Sequence, residues 1–204
     1  MPSVSSINKW IFVLLLAGIG TGCNDKSNQA TVSHGPRKEV PEEGTNIQAY
    51  LSEAGMETGG KLQSRVKGLL RSPFMLHFQR VDSPYFEFPR SMHVDFFKDS
   101  IFVGEKPVIE SQLDALYGKY LPTQEKVFLR DTVVVKNILK GDTLHCKYLW
   151  WDQHTQRFTT DDSVAIHTKD KILFGTGMEA DQNFRWYTIK HMTGIILHSG
   201  NNIQ

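Results

Sequence analysis

Two stretches of 27 residues, "ESQLDALYGKYLPTQEKVFLRDTVVVK" and "GDTLHCKYLWWDQHTQRFTTDDSVAIH", align without gaps at an offset of 31. Leu113 meets Leu144, Tyr117 meets Tyr148, Asp131 meets Asp162 and Val133 meets Val164. The conservative pairs Lys126 with Arg157, Thr132 with Ser163 and Val135 with Ile166 fall in the same frame. A period of this size marks stacked units, none of which buries its apolar face alone. Each unit reads as a strand, a polar turn, a short strand, an Asp-initiated corner and another strand. In the second unit the alternation places Leu144, Cys146, Tyr148 and Trp150 on one face and Thr143, His145, Lys147, Leu149 and Trp151 on the other. Cys146 then reads as a small core residue. A degenerate third pass begins at Ile172, where Gly175 and Gly177 replace bulky positions and let the backbone bend or approach another strand. No helical period is sustained anywhere from Ile47 onward, so the expectation is an all-β domain over 47–200 with a short tail, 201–204.

At 204 residues and 40% hydrophobic content, the chain can build one ordinary core. A formal net charge of +1, with scattered basic residues, argues against a nucleic-acid partner. Cys23 and Cys146 stand too far apart, in surroundings too different, to indicate a disulfide framework. The histidines show no paired ligand spacing, and neither a metal nor a cofactor is expected. Only His93 and Asp95 share a strand face, and surface solvation is expected for both.

The N-terminus reads as an address. Residues 10–22, "WIFVLLLAGIGTG", follow Lys9 as an apolar run too short to cross a hydrocarbon core of about 30 Å. They form a signal-peptide core within 1–22. Gly20, Thr21 and Gly22 before Cys23 resemble the lipobox of bacterial lipoproteins, in which the cysteine is acylated. Gly20 stands where that pattern prefers leucine, and an uncleaved anchor is the alternative. Residues 23–46 are polar, carry two prolines and read as a flexible tether.

The stretch "GMETGGKL" approaches a nucleotide-binding loop, since Gly55, Gly60 and Lys61 fit G-x-x-x-x-G-K-[ST]. Leu62 occupies the place of the magnesium-binding hydroxyl, and the following "KLQSRV" alternates with a period of two, not as a helix. A β-hairpin with its turn at Thr58-Gly59-Gly60 is expected instead.

The segments "GDTLHCKYLWWD", "RFTTDDSVAIHTKDKILFGTGMEADQNFRWYTIKHMTGII" and "SPYFEFPRSMHVDFFKD" resemble the LptC family, a periplasmic lipopolysaccharide-export component. The resemblance implies a twisted, incompletely closed antiparallel β-jelly roll in which lipid A slides through an open hydrophobic groove. It also implies partners: lipopolysaccharide, inner-membrane ABC transporter subunits, and a periplasmic bridge protein of the same fold. On it, the groove candidates are Phe96, Leu113, Tyr117, Val133, Val135, Leu144, Tyr148, Phe158, Val164 and Ile166. The alternation alone would equally let these residues close a dry core. A lipid anchor would hold the protein at the periplasmic face of the inner membrane of a Gram-negative bacterium.

Two other classes compete. An enzyme would have to use Asp161 and Asp162, or Asp95 and Asp99, but neighbours on a strand point to opposite faces, so Asp161 and Asp162 form no acid/base pair. They suit a corner between strands, and no catalytic residue is assigned. A carbohydrate-binding β-sandwich would use Trp150, Trp151 and Trp186, of which the first two face apart. The chain end, "HMTGIILHSG", lacks charged gatekeepers, which makes Ile195, Ile196 and Leu197 candidates for a docking edge. Pairing within its own sheet is the alternative.

Overall fold

A computed structural model describes residues 40–58 and 61–197. The stretch read as a signal peptide, 1–22, Cys23, the part of the expected tether as far as residue 39, residues 59 and 60 of the expected turn, and residues 198–204 lie outside the described residues. Among those described, the chain is one antiparallel meander: β1 (Glu42–Thr58), β2 (Lys61–Phe78), β3 (Tyr85–Phe88), β4 (Met92–Ile101), β5 (Ile109–Ala115), β6 (Tyr117–Leu121), β7 (Lys126–Asn137), β8 (Thr143–Asp152), β9 (Arg157–His167), β10 (Lys171–Asp181) and β11 (Tyr187–Leu197). A single 3₁₀ turn, Pro122–Gln124, links β6 to β7. Strands β3 and β4 pair with two halves of β2, and β5 and β6 pair with two halves of β7, so each couple is one path bent in the middle.

The bends fall on one line across the sheet. Ser91 N–H donates to Leu116 O, and Leu116 N–H donates to Asp131 O. Asp131 and Thr132 sit at φ +63° and +61°, where the β7–β8 register shifts. On β8, Lys147 N–H donates to Asp162 Oδ2 at 3.0 Å across another shift. Gly177, at φ +72°, continues the line on β10, where glycine alone avoids the steric cost of that backbone. Such bulges raise twist and turn a strand toward a second layer. The two halves of each long strand therefore belong to two facing layers, which meet where the Phe96 ring packs edge-on against Trp151, 5.1 Å away at 89°. The result is a β-jelly roll, incompletely closed: among the described residues, β1 pairs only with β2 and β11 only with β10.

Two rows of side chains fill the space between the layers. One runs Leu70–Val94–Leu113–Val135–Leu144–Ile166–Leu173–Ile195, each the register partner of the next. The other runs Phe86–Tyr120–Val127–Trp151–Phe158–Ala180–Tyr187. The sequence repeat maps onto this geometry. Leu113 and Leu144 share the first row, Asp131 and Asp162 both mark the crease, and Val133 and Val164 both turn inward beyond it. The glycines of the third pass do as expected. A Cβ on Gly175 would lie 2.6 Å from His191 O of β11, so only glycine permits that approach.

Three sequence readings need correction. The phase of β8 changes at the crease: Leu144 faces in and Cys146 packs against the core, but beyond Lys147 it is Leu149 and Trp151 that are buried, while Tyr148 and Trp150 face out. A one-residue register irregularity moves every following side chain to the other face. Tyr117, the repeat partner of Tyr148, faces out with it, under the Arg130 guanidinium. Second, β1 begins at Glu42, inside the stretch read as tether. Third, His93 and Asp95 are not simply solvated. Asp95 is buried and accepts from Gln112 Nε2 at 2.8 Å and from Arg71, while His93 Nε2 lies 3.1 Å from Asp95 Oδ1 and its Nδ1 2.7 Å from Asp114 Oδ1.

Candidate lipid cleft

Between β1–β2 and the opposite layer lies a cleft of about 910 Å³. Its floor and walls are Ile47, Leu51 and Leu70 from β1 and β2, Met75 from the far half of β2, Phe86 and Phe88 from β3, Met92 and Phe96 from β4, and Tyr120, Val127 and Trp151 opposite. The elements explain the lining: these are inward positions of alternating strands, whose outward neighbours include Arg71, Glu87, His93 and Lys119. Polar side chains rim the mouth, with Arg65 and Lys67 on β2 facing Glu125, Gln153, His154 and Gln156. Thr58 pairs with Lys61 across residues 59 and 60, so "GMETGGKL" is flanked by strands on both sides and no helix opens there to cradle phosphate.

The ten groove candidates divide by position. Phe96 lines the cleft. Leu113, Val133, Val135, Leu144, Phe158, Val164 and Ile166 face inward but form the packed core beyond it. Tyr117 and Tyr148 stand on the outer face, where burial together with Glu87 pushes the Tyr117 hydroxyl up to about 12. Most of the cleft's own lining, above all Ile47, Leu51, Leu70, Met75, Tyr120 and Val127, escaped sequence reasoning. Its signal lay in the apolar alternation of "IQAYL", read as the domain's start and not as a wall.

The proposed docking residues lie on β11. Ile195, Ile196 and Leu197 pair inward with Leu173, Ile172 and Lys171, and Ile195 is 53% exposed at the free outer side. Strand pairing within its own sheet and an open edge thus coexist. Three of the carboxylates weighed for an enzyme have structural partners: Asp162 binds Lys147 N–H at the crease, Asp161 meets Lys190 Nζ at 2.8 Å, and Asp95 is held by Arg71. Burial pushes the Asp95 carboxyl up, but hydrogen bonds from Gln112, Arg71 and His93 outweigh this and hold its pKa below the ordinary carboxylate value. Cys146 is half-buried, and desolvation raises its thiol to about 12, which leaves it a poor nucleophile. Of the three tryptophans, Trp151 is in the core, while Trp150, on the opposite face of β8, and Trp186 are exposed.

Among the described residues, no helix is long and apolar enough to cross a membrane. No curated protein matches the chain. The profile of the family described as "Lipopolysaccharide-assembly, LptC-related" matches residues 11–194, most of its length. An open-edged roll, an apolar cleft between its layers and this match converge: the chain belongs to the LptC-related family, a periplasmic component of the envelope's lipopolysaccharide transport.

Proposed function

We propose that the chain is a conduit. It accepts lipopolysaccharide from an inner-membrane ABC transporter, shelters acyl chains in the cleft and passes them to the next bridge protein of the same fold. The apolar cleft of about 910 Å³ carries this reading. A methylene fills about as much space as a liquid water molecule, ~30 Å³, so the cleft has room for roughly two or three chains of about a dozen carbons. It holds part of a lipid A at a time. Exposing several such chains to water, at ~0.8 kcal/mol per CH₂, costs on the order of tens of kcal/mol. A groove lowers that cost but supplies no work, so the driving force belongs to the partner ATPase.

The free edge of β11 is the downstream junction in this reading, joined by strand addition. An acylated Cys23 and the segment after it tether the roll to the inner membrane. One experiment covers these points: deplete the chain, complement it, and fractionate the envelope for lipopolysaccharide. Depleted cells should stall it in the inner membrane, and wild type should clear it. Ile196→Lys places a charge on the edge and should fail to clear it, although its stability stays within about 0.5 kcal/mol of wild type, as for an ordinary surface change. Cys23→Ala should leave an unprocessed or released protein by mass spectrometry. Normal export during depletion would sink the conduit; normal export with Ile196→Lys would sink this edge as the junction.

A further inference from the structure

We infer that Phe96, Trp151 and Phe158 form an aromatic gate across the interior, so that acyl chains held in the cleft move on toward β11 only when the two layers part at these rings. The inference rests on the conduit reading and adds to it a barrier.

The cleft ends abruptly. Phe96 and Trp151 line it, but no residue farther along either interior row does. Phe96 is 1% exposed, and its ring meets Trp151 edge-on at 5.1 Å and Phe158 at 6.0 Å and 69°. Behind them Leu113, Leu144 and Ile166 have no exposed surface at all. The first row then resurfaces at Ile195, on the open edge. An unbroken apolar row thus links a cleft at one end to an exposed edge at the other, while the space along it is filled. Protein interiors pack like organic crystals, and a chain of methylenes cannot thread such a core without moving its walls.

The gate has a bolt. Trp151 Nε1–H donates to Gln182 Oε1 at 3.3 Å, and Gln182 N–H donates to Gln156 O at 2.9 Å. From the other layer, Ser111 Oγ–H donates to Gln182 O at 3.1 Å. Gln182 therefore ties the gate's tryptophan to the β10–β11 turn and ties that turn to the opposite layer. Parting the layers at the rings breaks the Ser111 bond to Gln182, whereas the crease on the other side, made of continuous backbone, can act as the hinge.

The test uses the purified full chain with p-benzoylphenylalanine at Tyr120, inside the cleft, or at Leu173, beyond the rings, irradiated with purified lipopolysaccharide. In the wild type, capture at Tyr120 should exceed capture at Leu173 by about tenfold or more, the ratio that a free-energy difference of ~1.4 kcal/mol between the two positions sets. Ser111→Ala removes the bond between the layers without emptying the core, and Phe158→Leu thins the gate from its far side. Each should raise capture at Leu173 several-fold and leave capture at Tyr120 unchanged, which also reports that the cleft is intact. Equal capture at both positions in the wild type would overturn the gate. So would silence at Leu173 in both variants while Tyr120 still captures. Absence of capture at Tyr120 in the wild type would remove the cleft reading itself, and the gate with it.

Discussion

Phe158→Ala should destabilise the domain by about 3–5 kcal/mol, the range for deleting a large aromatic side chain from a core that cannot collapse around it. Phe158 is fully buried and touches Phe96 and Trp151, which come from two other strands and from both layers. Loss of its ring leaves a void where the layers meet. The matched control is Tyr148→Ala, a residue of similar size on the neighbouring strand that faces outward and is only half-buried. That change should cost about 1 kcal/mol, near the centre of the distribution for single substitutions. Urea denaturation reads both, with the midpoint falling and the slope unchanged if unfolding stays two-state. Equal losses at the two positions would contradict the change of phase at the crease.

Arg71→Met should cost about 3 kcal/mol at neutral pH, because it leaves the buried Asp95 carboxylate without its cation, and breaking such a pair is far costlier than the pair's net worth. The figure sits at the low end of the usual range because the Arg71 side chain is itself partly exposed. His93, Gln112 and Asp114 face the same carboxylate or its histidine and stay in place. The sign of the pH dependence follows from the depressed pKa of Asp95. Its contribution is fully present above the unfolded value, about 3.9, and is lost as pH falls through the lower folded value. The gap between wild type and variant should therefore be largest at pH 7 and shrink as the pH falls below the ordinary carboxylate range, where Asp95 takes up its proton. Urea midpoints across that range decide it; a gap independent of pH would mean that Arg71 acts through packing alone.

The sequence made the all-β class and the hairpin period legible because both live in local alternation and in residues that recur at a fixed offset. The phase of β8 was not legible, and "YLWW" shows why. All four residues are large and apolar, so hydrophobicity does not say which two face the core, and the deciding bulge depends on Asp162 of the next strand. The start of β1 was hidden for a related reason. "EEGTN" is polar, and backbone pairing with His77, Leu76, Met75 and Phe74 of β2 asks nothing of those side chains. The Asp95 cluster draws on β2, β4 and β5. Its members lie near one another only through register, which no spacing along the chain displays. The cleft escaped in the same way, since its walls come from strands as distant in sequence as β1 and β8.

The offset of 31 residues is the length of one hairpin, from β5–β6 and β7 to β8 and β9. Each such hairpin carries its own crease and adds two places to each interior row, about 9–10 Å at the ordinary strand spacing. The length of the roll is therefore a counted quantity, fixed by how many copies of one module are present and independent of how either end is finished. Growing the roll by duplicating a hairpin within a gene and growing it by setting two separate chains edge to edge are geometrically the same operation, one covalent and the other reversible. A lineage can thus trade internal copies against external subunits without redesigning the wall.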